Sequence, residues 1–124
     1  METVFTPTGP QFGPWHILLT AAITAALVTV STLAVRGGST RADDLGLAVT
    51  AGAAVWLWRS AANIGALNLD GLPSVSANDC AAPMTVFVAL SLYAAIRPPT
   101  DLTRWHRARA AATVIAVAVN IIAI

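Results

Sequence analysis

Residues 45–67 read LGLAVTAGAAVWLWRSAANIGAL, a stretch whose single charge is Arg59. A helix needs about 20 apolar residues to cross a hydrocarbon core about 30 Å thick, so this stretch is long enough to span a bilayer. Three further runs of the same character accompany it, at 15–35, 80–96 and 107–124. Together they leave very little of a 124-residue chain for a soluble domain. The pattern predicts an all-α polytopic membrane protein, a single transmembrane domain over 1–124 with four transmembrane helices in an up-down bundle.

Composition points the same way. Hydrophobic residues make up 56% of the chain and charged residues 10%, and the mean hydropathy is +0.71. A soluble domain carries about 25% charge. A bilayer removes the need to wet so apolar a surface. The net charge is only +1, with no basic-aromatic patch, so nucleic acid is not an expected partner. One cysteine, Cys80, rules out an internal disulfide, a CxxC redox pair and a cysteine-based zinc site.

Turn and cap residues set the expected boundaries. Trp15 to Val35 tolerates Thr20, Thr24, Thr29, Ser31 and Thr32 because hydroxyls bond back to the helix backbone. Gly37-Gly38 ends that run, and Asp43 or Asp44 caps the next, a carboxylate accepting the free N–H groups of a helix start. Asn68 to Asn78 reads as a loop, marked by Asp70-Gly71 and Leu72-Pro73. Asp79 is the expected cap of the third helix, with Pro83 in its first turn. Pro98-Pro99 stops that helix, and Thr100 or Asp101 caps the last. The third and fourth runs are short, about 25 Å each, so they stand upright, thin the membrane around them, or include a re-entrant segment.

Arginine placement sets the orientation. Arg36 and Arg41 lie in 36–44, and Arg97, Arg104, Arg107 and Arg109 in 97–109, whereas the N-terminal tail and 68–79 carry none. The positive-inside rule makes the arginine-bearing loops cytoplasmic and puts both termini outside. The lack of a basic segment before the first run argues against a signal peptide. With an Ala- and Val-rich composition and arginine as the basic residue throughout, the expected location is a bacterial cytoplasmic (inner) membrane. Trp15 and Trp105 fall at opposite interfaces, where an indole is at home.

Arg59 is the outlier. It lies about 21 Å along the second helix, roughly 9 Å short of the outer surface of the core. A guanidinium there snorkels to the interface, or it pairs with Asp79, Asp70, an anionic lipid or a partner chain. Asn63 lies one turn on. Every helix brings a polar group to the same leaflet, which gives a candidate outer-leaflet cluster of His16, Arg59, Asn63, Asp79, Cys80 and Asn120. Ordinary polarity at helix ends accounts for the same pattern. His16 and His106 fall on opposite faces, so no single metal or haem reaches both, and no cofactor is expected. Arg97, Arg104, Arg107 and Arg109, with His106, form a basic collar suited to anionic lipid head groups. Cys80 opens a helix, where the dipole favours a thiolate, and His16 is the one candidate base beside it; an inert interfacial thiol is the alternative. Alanines and glycines at four-residue spacing, such as Ala21, Ala25, Ala108 and Ala112, suit close helix packing within the chain or with another subunit.

Phe12-Gly13-Pro14-Trp15-His16, directly before the first run, resembles the start of the YwaF-like bacterial integral membrane proteins. Leu72-Pro73 and Asn78-Asp79-Cys80 occupy a place comparable to that family's loop into its third helix, with the Asp and Cys in the opposite order. The resemblance implies a polytopic membrane protein and, through distant eukaryotic relatives of the family, lipid acyl chemistry.

Three functions are compatible with these features. The first is a small non-catalytic subunit that packs in and stabilises a larger membrane complex of respiratory or transport type, with lipids and other membrane subunits or itself as partners. The second is a lipid-handling enzyme using His16 and Cys80 near the outer leaflet. The third is a small oligomeric transporter or channel with Arg59 facing an aqueous path.

Overall fold

The computed structural model describes residues 11–34, 41–72 and 75–123. Four long helices dominate: α1 (Pro14–Ala34), α2 (Arg41–Ala61), α4 (Ala77–Ile96) and α5 (Leu102–Ala123). Between α2 and α4 lie a single-turn helix, α3 (Gly65–Asn68), and a two-stranded antiparallel hairpin of β1 (Asp70–Leu72) and β2 (Val75–Ser76). The long helices pack in a ring, α1 on α2, α2 on α4, α4 on α5 and α5 on α1, and α2 also touches α5 across the diagonal. One end of the bundle gathers the starts of α1 and α4 and the ends of α2 and α5. This is the terminal end; the opposite one is the arginine-rich end.

Local chemistry explains the boundaries. Pro14 opens α1, where a missing N–H costs nothing, and Ile17 N–H bonds Gly13 C=O at 3.1 Å. The second helix differs from expectation at both ends. It begins at Arg41, so Asp43 and Asp44 sit inside its first turn rather than capping it. It stops at Ala61 instead of running on to Leu67, and two residues on the Asn63 side chain is bonded to the backbone of Phe12. The cap of α4 is Ser76, and Asp79 is its partner three residues on. Asp79 N–H bonds Ser76 Oγ at 3.2 Å and Ser76 N–H bonds Asp79 Oδ2 at 2.8 Å, a reciprocal capping box. Pro83 therefore falls in the second turn of α4, not the first. Asp101 caps α5 by accepting from Arg104 N–H at 3.0 Å. The Gly37-Gly38 stop, Arg36 and Pro73 lie outside the described residues.

The interior is built from small side chains. Ala21, Ala48, Ala51, Ala54, Ala108, Ala112 and Ala116 are buried around Val28, Val55, Val86, Leu47 and Leu90. Gly52 sets the closest approach of α1 and α2: a Cβ there would stand 3.0 Å from Ala25 Cβ and 3.1 Å from Ala21 C=O. Among the described residues two helices, Pro14–Thr32 and Ala77–Ile96, are long and apolar enough by composition to cross a membrane. The other two are diluted by Asp43, Asp44 and Arg59 in α2 and by Arg104, Arg107 and Arg109 in α5.

Candidate functional site

Arg59 enters the bundle from the last turn of α2 and meets Asp79 in the first turn of α4. Their contact, Nη1 to Oδ1, is 3.2 Å, with side chains only 1% and 4% exposed. Snorkelling is therefore not the geometry adopted. Each charge also sits at the favourable helix end, a cation in a last turn and an anion in a first. The second carboxylate oxygen, Oδ2, receives Ser76 N–H, so Asp79 is held from two sides. The Arg59 guanidinium carbon, Cζ, lies over the Phe12 ring, 5.4 Å from its centroid. Phe12 in turn meets the His16 ring edge-on at 5.1 Å.

Around this pair runs a chain of amides. Asn63 Oδ1 accepts Phe12 N–H at 2.9 Å and Asn63 Nδ2 donates to Phe12 C=O at 2.7 Å, so one side chain copies a strand pairing. Asn68 Nδ2 donates to Asn63 Oδ1 at 3.0 Å, and Asn78 Nδ2 donates to Asn68 Oδ1 and to Ala62 C=O, both at 2.7 Å. Trp58 Nε1 closes the run on Asn78 Oδ1 at 2.9 Å. The network joins the segment before α1, the end of α2, α3 and the start of α4. Asn78, Asn68, Ser76, Trp58 and Phe12 were not expected members. The Ser76-x-x-Asp79 spacing is a readable capping-box signal; the asparagines had no such signal, since an amide in a loop is unremarkable until its partners are known.

The rest of the expected cluster divides. Asn120, on α5, is fully buried and donates to Ala116 C=O at 2.7 Å. Cys80 is a free, exposed thiol. His16 is exposed on α1, whereas Cys80 is on α4, and these two helices are not neighbours in the ring. Among the described residues no group of three or more His, Cys, Asp or Glu is placed to hold a metal ion.

The basic collar at the opposite end is smaller than the sequence suggests. Arg104 is buried: Nη1 meets Asp44 Oδ1 at 2.7 Å and Nη2 donates to Thr32 C=O at 2.8 Å. It closes α1, α2 and α5 together and does not face head groups. Arg109 lies 4.4 Å from the Phe87 ring centroid and donates to Ser91 Oγ at 3.1 Å. Arg97 and Arg107 remain as exposed cations of the collar. Trp105 is also buried, stacked on Tyr93 at 5.4 Å, because the ring fills the space between α4 and α5 that small residues leave. Trp15, by contrast, is exposed.

Comparison with protein-family models, with curated proteins and with solved structures gives no match for this chain.

Proposed function

We propose that this chain is a small non-catalytic integral membrane subunit that crosses a bacterial inner membrane four times and packs in and stabilises a larger complex of respiratory or transport type. The observation that carries this reading is the inverted distribution of side chains. The largest fully buried side chain is Arg59, and the interior is otherwise mostly alanine, valine and threonine. Large apolar residues stand outward along all four long helices: Leu19 and Leu27 on α1, Val49 on α2, Val88 on α4 and Val114 on α5. Water would penalise that exterior, whereas lipid or a neighbouring apolar subunit would accept it. The helices are 20 to 22 residues long, about 30–33 Å, which suits a bilayer core. This is also why charges at the ends of α2 and α5 do not argue against spanning.

The competing readings gain less. A channel needs Arg59 to line an aqueous path, and Arg59 is engaged with Asp79 inside the monomer. A lipid-handling enzyme needs His16 near Cys80, and the two are on non-adjacent helices. The stretches on which the YwaF-like resemblance rests, Phe12 to His16 and Asn78 to Cys80, supply members of the amide network, which is a structural role.

The test is mild solubilisation of native membranes followed by sizing and mass spectrometry of what travels with the chain. Comigration with larger membrane subunits is the expected result. A lone monomer of 12.8 kDa that turns over lipid, or a homo-oligomer that conducts, would replace the proposal.

A further inference from the structure

Four buried side-chain polar atoms have no protein partner among the described residues, Trp105 Nε1 and Arg109 Nε with two at the terminal end, and those two are complementary. Arg59 Nη2 is a donor, and Asn120 Oδ1 is an acceptor. Their residues are 1% and 0% exposed. An orphaned donor or acceptor in an apolar interior is costly, so such groups find a partner.

Helix register places the two at one depth. Asp44 and Arg104 touch at the arginine-rich end of α2 and α5. From that tie Arg59 is about 22 Å up α2 and Asn120 about 24 Å up α5, at 1.5 Å per residue. A second tie agrees. Arg109 touches Ser91 on α4, and from there Asp79 is about 18 Å and Asn120 about 16 Å towards the terminal end. Both residues point inward, and α2 and α5 approach across the diagonal. The face of α5 that meets them repeats every four residues, Ala108, Ala112, Ala116 and then Asn120, all buried. An amide replaces alanine at the turn level with the ion pair.

We propose that Arg59 and Asn120 hold an ordered water between them inside the bundle. The water accepts a hydrogen bond from Arg59 Nη2 and donates one to Asn120 Oδ1, while Asn120 Nδ2 stays on Ala116 C=O and Arg59 Nη1 stays on Asp79. The two atoms are not bonded to each other or to any protein group among the described residues; whatever bridges them must both accept and donate, and a water molecule does both. The bound water extends the solvation of the guanidinium beyond its single carboxylate contact. It makes Asn120 a positioning residue for the ion pair, a role independent of whether the chain is a subunit.

The experiment is water-to-protein magnetisation transfer in solid-state NMR, on the full chain labelled with ¹³C and ¹⁵N in bilayers with deuterated acyl chains. Transfer to Arg59 Nη and Asn120 Nδ2 is expected to be several-fold faster than to the backbone amides of Ala112 and Ala116 on the same face. In Asn120→Leu the transfer to Arg59 Nη should fall to the alanine level while that to exposed Arg107 is unchanged. Asn120→Ser keeps an acceptor and should retain the transfer, which guards against misreading a misfolded leucine variant. Transfer to Arg59 no faster than to Ala112 in the unaltered chain would overturn the proposal. So would transfer that persists undiminished in a folded Asn120→Leu, or a direct Arg59–Asn120 contact seen as a short nitrogen–carbonyl distance.

Discussion

At the terminal end the bundle carries an arginine inward from α2 to Asp79; at the arginine-rich end it carries another inward from α5 to Asp44. Both pairs put the anion in the first turn of a helix, where the dipole favours it. Their surroundings differ. The Arg104 pair is 7% and 29% exposed, and its second nitrogen is satisfied by Thr32 C=O in the last turns of α1. The Arg59 pair is 1% and 4% exposed, and Nη2 has no partner among the described residues. The first is a clamp between helix ends that water can reach. The second is an ion pair inside the helical span, dependent on the fixed position of Asp79. Depth, not the number of charges, decides how much each end loses when its pair is broken.

The largest effect is expected at the deep pair. Asp79→Ala strands a buried guanidinium and removes half of the capping box, which should cost about 3–5 kcal/mol. Unfolding of the purified chain in mixed micelles, followed by far-UV circular dichroism as the denaturing detergent rises, measures it. The double variant Arg59→Leu with Asp79→Leu should recover most of that loss, leaving roughly the 1 kcal/mol of the lost cap. A double variant as weak as the single one would show that the charge pair is not what distinguishes the two ends.

Packing ranks next, and it belongs to the arginine-rich end. A Cβ on Gly46 would run into the Tyr93 hydroxyl, and Tyr93 cannot retreat freely because its ring is stacked on Trp105. Gly46→Ala should therefore cost about 1–3 kcal/mol by overpacking, with loss of the near-UV signal of the Tyr93–Trp105 stack. Unchanged stability and an unchanged aromatic signal would mean that the stack does not hold this end.

Asp44→Asn comes third. The pair is partly exposed, and Arg104 keeps its bond to Thr32 C=O, so the loss should be about 1 kcal/mol and should shrink in salt. The same micelle titration at two salt concentrations checks both statements. A loss as large as that of Asp79→Ala would erase the distinction by depth.

What the sequence reveals follows the same division. Apolar length, the Pro98-Pro99 stop and the Asp101 cap are local signals, so four helices were legible. Arg59 was legible as an anomaly because a charge in an apolar run is rare, and Asp79 as one of its candidate partners because it opens the next apolar run. The asparagine chain was not, since Asn63, Asn68 and Asn78 acquire meaning only when a turn folds them onto Phe12 and Trp58. The basic collar was overcounted for a related reason. Arginines near helix ends look alike in sequence, and only the packing separates the inward Arg104 from the outward Arg107. Trp105 misled in the same way, because the interfacial preference of an indole is weaker than the need to fill a gap beside Tyr93.

The smallest effect sharpens the comparison differently. Cys80 follows Asp79 directly, yet the carboxylate turns into the bundle and the thiol faces out. Successive residues of a helix are about 100° apart, enough to put one inside and the next outside. Cys80→Ser should change stability by less than about 0.5 kcal/mol, as surface substitutions do. Because the thiol carries so little structure, it is a clean reporter of which side the terminal end faces. An impermeant maleimide applied to intact cells should label Cys80, and should fail on the serine variant, if the arginine-rich end is cytoplasmic. Labelling seen only after the membrane is broken would reverse the two ends: the exposed Arg97 and Arg107 would then face outward, against the charge rule from which the orientation was argued.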